Sequence, residues 1–145
     1  MSTTYSLPRA SGAYIGATYA CLGLGAFGFS LGLWNADMLL NEKGYYFTLL
    51  AFGLFAAVSL QKSVRDRAEG IPLSGTYFGL CYAAVGLALL LLSVGLWNAT
   101  LLLSEKGYYA MSFILALYSA VTVQKNVRDN KAAGRSEPEQ EQAED

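Results

Sequence analysis

The chain has 145 residues, of which 54% are hydrophobic and 14% charged, and its formal net charge is −1. That balance is unusual for a soluble domain of this size, and the absence of histidine removes the commonest acid–base group and metal ligand. Acid is concentrated at the C-terminus in "SEPEQEQAED", so the net value says little about partners.

Residues 1–11, "MSTTYSLPRAS", form a polar N-terminal leader with one base, Arg9. No early basic cluster or processing site accompanies it, so no cleavable signal peptide is expected and the first apolar stretch is retained. Four apolar stretches follow, at 13–34, 45–60, 76–97 and 108–123. Each is about long enough to cross a bilayer core of about 30 Å as a helix. A soluble four-helix bundle would need a polar face at a 3.6-residue period, and "CLGLGAFGFSLGLW" and "AVGLALLLLSVGLW" have none. The expected fold is all-α and polytopic, with four transmembrane helices.

The chain repeats itself. "GLWNADMLLNEKGYY" at 32–46 returns as "GLWNATLLLSEKGYY" at 95–109, and laying 12–67 over 75–130 without a gap matches about half the positions. Each copy reads as a two-helix transmembrane repeat, joined by a cytoplasmic linker at 68–74 and followed by a tail at 131–145, expected to be disordered because it has too little apolar content to pack. Arg9, Lys62, Arg65, Arg67, Lys125, Arg128, Lys131 and Arg135 all lie on the side of the termini, which places both termini in the cytoplasm. An even number of spans per unit then relates the two tandem hairpins by an axis along the membrane normal, a parallel repeat.

In the outer turns, Trp34 and Trp97 and the pairs beginning at Tyr45 and Tyr108 are expected to anchor at the interface. Asn41 and Ser104 read as N-caps, with Glu42 and Glu105 in the first helical turn and Lys43 and Lys106 beside them. The functional alternative to helix starts is that the same Glu–Lys pairs ring a pore mouth. Asn35 and Asn98 either end a helix or face inward, where they would be the first candidates for lining a path.

Gly12, Gly16 and Ala20 recur as Gly75, Gly79 and Ala83, a small-residue row expected to pack the first span against the third or to form an oligomer interface; Gly28 and Gly32 form a second row. On the cytoplasmic side, "QKSVRD" and "QKNVRD" place Lys62, Arg65, Lys125 and Arg128 as snorkelling anchors or as contacts for anionic lipid head groups. Cys21 and Cys81 do not occupy equivalent places in the repeats and read as unpaired thiols. No nucleophile–base pair, metal-ligand spacing or nucleotide-binding motif emerges, so no enzymatic activity, cofactor or nucleic-acid partner is expected.

The paired "GLWNA…LL…EKGYY" and "QK.VRD" segments resemble the YiaA/YiaB two-helix domain family of bacterial inner-membrane proteins over nearly everything from 12 to 130. The resemblance implies the bacterial inner membrane and a unit of two helices, and carries over no catalytic or ligand residues. The expected function is a non-enzymatic membrane scaffold or accessory protein, associating with itself or with a membrane protein partner. The rival is a small channel or transporter for an unknown solute.

Overall fold

The computed structural model describes residues 9–144, without the side chains of 135–141 and 144. It contains four helices: α1 (Gly12–Asn35), α2 (Leu40–Ala68), α3 (Gly75–Asn98) and α4 (Leu103–Glu144). Residues 1–8 of the leader lie outside the described part.

Local chemistry sets the helix ends. Ser11 and Ser74 cap α1 and α3, each side chain accepting the N–H three residues on, from Tyr14 at 3.2 Å and Tyr77 at 3.1 Å. At the other ends Asn35 and Asn98 donate through Nδ2 to the carbonyls of Leu31 and Val94, both at 2.9 Å. Helix α2 stops at Gly70, whose φ of 74° few other residues tolerate, with the Ile71 N–H reaching back to Asp66 and the Gly70 N–H to Arg67. One repeat later Ala133 replaces that glycine, and α4 runs on. The tail expected to be disordered is thus helical backbone to Glu144, because a segment too polar to join a core can still be rich in the helix formers Ala, Glu and Gln.

Helices α1, α2 and α3 are long and apolar enough to cross a membrane, whereas α4 does not reach that mark among the described residues. Its apolar run is diluted by Tyr108, Tyr109, Ser112, Tyr118, Ser119 and Thr122. Ser119, Thr122 and Asn126 are buried, consistent with the central place of α4 in the bundle.

The packing is not that of two self-contained hairpins. Helix α1 packs chiefly on α4, α3 packs chiefly on α2, and α2 and α4 meet along the middle. The short connectors leave few contacts between α1 and α2 or between α3 and α4, and α1 and α3 do not meet. Each repeat therefore lends its first helix to the second helix of the other.

This overturns the expected packing of the first span on the third. Nothing lies within 4 Å of where a Cβ would stand at Gly12, Gly16, Gly75 or Gly79, and Ala20 and Ala83 are exposed. The close approach is made by Gly25, where an added Cβ would come within 2.6 Å of the Ala116 backbone nitrogen. Phe29, Ala88, Phe113 and Ala116 are wholly buried in the middle, with Tyr46 and Tyr109 above them. The exterior is apolar, with Phe27, Phe55, Leu90 and Met111 exposed.

Candidate functional site

At the end carrying the two connectors, the repeated glycines and tyrosines meet across the repeats. Tyr45 of α2 lies against Gly95 of α3 and donates its hydroxyl to the Leu91 carbonyl at 2.6 Å. Tyr108 of α4 lies against Gly32 of α1 and donates to the Gly28 carbonyl. A Cβ on Gly32 would stand 2.5 Å from the Tyr108 ring, and one on Gly95 would stand 2.9 Å from the Tyr45 ring. The second glycine row, Gly28 and Gly32, is thus a seat for a tyrosine. Tyr45 and Tyr108, expected as interfacial anchors, lock one repeat to the other while staying partly exposed.

The other half of each tyrosine pair turns inward. Tyr46 and Tyr109 are buried, with rings stacked at 6.3 Å and 18°. Trp34 and Trp97 are 79% and 85% exposed at the same end. The Lys43 ammonium donates to the Trp34 carbonyl at 3.1 Å, covering the C-terminus of α1.

Asn41 and Ser104 are not N-caps. Leu39 holds that position in α2 without a side-chain bond, and α4 begins at Leu103, where Glu105 Oε2 accepts the Leu102 N–H at 3.3 Å. The acid three residues into the helix thus does part of the capping expected of the residue before it.

Two clefts open beside the stacked rings, of about 440 and 600 Å3. Glu42, Tyr46 and Asn98 line the first and Asn35, Glu105 and Tyr109 the second, while Asp37, Thr100 and Leu101 line both. The structure therefore brings Asn35, Asn98, Glu42 and Glu105 to one mouth, although Asn35 and Asn98 each spend an N–H on their own helix.

At the opposite end the "QK.VRD" copies exchange charges. Arg65 pairs with Asp129, and Arg128 pairs with Asp66, both at 2.5 Å. Lys62 and Lys125 each hold the aspartate of their own helix at 2.8 Å. Glu69 joins Arg65 at 2.7 Å and Arg128 at 3.0 Å. Hydrogen bonds from Lys62 and Arg128 hold the Asp66 carboxyl below the usual carboxylate range, and those from Arg65 and Arg128 do the same for Glu69. Burial pushes Asp129 up, but Lys125 and Arg65 outweigh it and leave it lowered. Of the four cations expected as anchors or lipid contacts, the two arginines are engaged within the protein, and the two lysines are more than half exposed.

Sequence reading missed the buried polar pairs just inside this end. Asn126 Nδ2 donates to Thr18 Oγ1 at 3.4 Å, and at the equivalent place Ser63 Oγ lies 3.4 Å from Cys81 Sγ. The register of the repeat was the available signal, since it lays Thr18 on Cys81 and Ser63 on Asn126. Cys21 is half-buried and, like Cys81, free.

The yiaA/B two helix domain matches the chain twice, over residues 14–66 and 77–129. "Inner membrane protein YiaA" of Escherichia coli (strain K12) is 56% identical over 114 residues, covering 79% of this chain and 77% of that protein. "Uncharacterized membrane protein YubF" of Bacillus subtilis (strain 168) is 52% identical over 46 residues, 31% of this chain and 53% of its own. No solved structure matches. With both repeats matched in register, and with the repeated glycines, tyrosines and charges exchanged between them, the chain belongs to the YiaA/B two-helix domain family of membrane proteins.

Proposed function

We propose that the chain is a four-span inner-membrane protein with both termini in the cytoplasm, acting as a non-enzymatic scaffold or accessory protein rather than as a conduit. The observation that carries this reading is the closed middle of the bundle. Between the clefts at one end and the ion pairs at the other, Phe29, Phe113, Ala88 and Ala116 are 0% exposed. A polar solute would need continuous polar lining or water to cross that level. The orientation rests on Arg65, Arg67, Arg128 and Lys131 gathering at the end of the termini.

Lateral association has its own support. Gly12, Gly16, Gly75 and Gly79 face away from the bundle with nothing against them, which leaves the small-residue rows free for another chain. Gly16→Leu with Gly79→Leu should reduce the assembly measured by light scattering in mild detergent while the melting curve stays close to that of the parent. Unchanged assembly, or a parent that is monomeric throughout, would sink the lateral reading.

The channel or transporter reading draws on one feature, the two clefts with Asn35 and Asn98 in their walls. Single cysteines at Ser30 and Ser93, in a chain with Cys21 and Cys81 replaced, separate the readings. Protection from a membrane-impermeant thiol reagent supports the closed bundle. Labelling at both would reveal water below the tryptophans and turn the search to solutes.

A further inference from the structure

We infer that the two clefts at the connector end form one binding site for an organic polycation, a linear amine carrying two or more ammonium groups. Tyr46 and Tyr109 are 5% and 4% exposed, and each lines a cleft. Buried tyrosine hydroxyls ordinarily find a hydrogen-bond partner. Tyr45 and Tyr108 have theirs, in the carbonyls of Leu91 and Gly28. Those of Tyr46 and Tyr109 have none among the described residues, and since neither oxygen is sealed from the surface, two otherwise buried side chains leave unpartnered hydroxyls to the clefts they line.

Charge selects the ligand. Asp37, Glu42 and Glu105 line the clefts, and no lysine or arginine does. The neighbouring Lys43 is turned to the Trp34 carbonyl, and Lys106 lines neither space. An anion would meet three carboxylates and no cation in the cleft walls, whereas an ammonium can donate to carboxylates and phenol oxygens alike.

Spacing and shape then favour an extended organic cation over a metal ion. Among the described residues no three acidic, Cys or His side chains gather closely enough to hold a metal. The acids instead lie along two adjoining clefts whose combined size suits a small organic ligand, and the tyrosine rings offer π-faces to its charged and aliphatic parts. The closed core beneath makes this a place to bind rather than to pass through. The inference needs that core and does not need lateral association.

Spermidine is the probe. The full chain in phosphatidylcholine nanodiscs, which lack anionic lipid, would be titrated calorimetrically with spermidine and separately with magnesium chloride. Saturable binding of one spermidine per chain is expected, because the clefts share Asp37, Thr100 and Leu101. Tyr46→Phe with Tyr109→Phe keeps the rings and removes only the hydroxyls, and should weaken binding about tenfold. Glu42→Gln with Glu105→Gln, which retains the Glu105 oxygen that accepts the Leu102 N–H, should weaken it further. No saturable heat, variants that bind as the parent does, or magnesium displacing spermidine at equal concentration would each overturn the assignment. Oligomeric state measured on the same samples reports separately on the scaffold reading.

Discussion

The two ends of the bundle solve one problem in two ways. At the connector end the repeats are joined by shape, a tyrosine from each seated on a glycine of the other. At the end of the termini they are joined by charge, an arginine from each paired with an aspartate of the other. A steric lock responds to side-chain volume and ignores salt and pH, whereas an ionic clamp near water is screened by salt and titrates with acid. One exchange of elements between repeats is therefore held by a part that conditions cannot loosen and a part that they can.

The largest effect is expected where the helices come closest. Gly25→Leu forces a side chain into the Ala116 backbone and should destabilise the bundle by about 1–3 kcal/mol or more, measured by chemical denaturation in micelles. Gly16→Leu, in the same helix with nothing within 4 Å, should be neutral or stabilise the isolated chain by up to about 1 kcal/mol through helix propensity. Equal losses at the two positions would break the assignment of α1 to α4.

Removing one hydroxyl from the steric lock is a gentler test. Tyr108→Phe keeps the ring on Gly32 and loses the bond to the Gly28 carbonyl, for an expected cost of about 1 kcal/mol. That loss should be the same at low and high salt.

The ionic clamp should behave oppositely. Asp66→Asn removes a buried carboxylate that faces Lys62 and Arg128, and its cost, on the order of 1–3 kcal/mol, should shrink in part as salt is raised. The pH dependence has a fixed sign. Asp66, Glu69 and Asp129 are all lowered in the folded chain, so their stabilisation is present above the unfolded carboxylate values, about 4, and fades as pH falls below them. A melting temperature that rose on acidification, or that ignored both salt and acid, would show that the clamp adds nothing.

Much of this was written in the repeat. Its register, the apolar stretches and the exposed tryptophans were legible because composition and identity at a fixed spacing carry them. What the repeat could not tell was which copy answers which. The pairing of Arg65 with Asp129 and of Tyr45 with Gly95 looks, in one dimension, the same as pairing within each copy. The first glycine row misled only as to which spans meet inside the bundle: Gly12 and Gly16 have the spacing of a contact but sit on the outer face, while Gly25 makes the contact and recurs only as Ala88. The helical tail was visible in the loss of one residue, Gly70 giving way to Ala133, yet composition drew attention to the acids instead.

The smallest effect is the most discriminating. Asn35 and Asn98 stand in the cleft walls but bond back to their own helices from exposed positions, so Asn35→Leu with Asn98→Leu should cost only about 0.5 kcal/mol per site, the low end for a hydrogen bond. In a closed bundle the same change leaves vesicles as tight as before, because the core at Phe29 and Phe113 lies below both residues. It should also leave the salt response untouched, since the clamp is at the other end. A solute flux in the parent that these substitutions alter, at unchanged stability, would place the asparagines on a path and would require the buried phenylalanines to move aside.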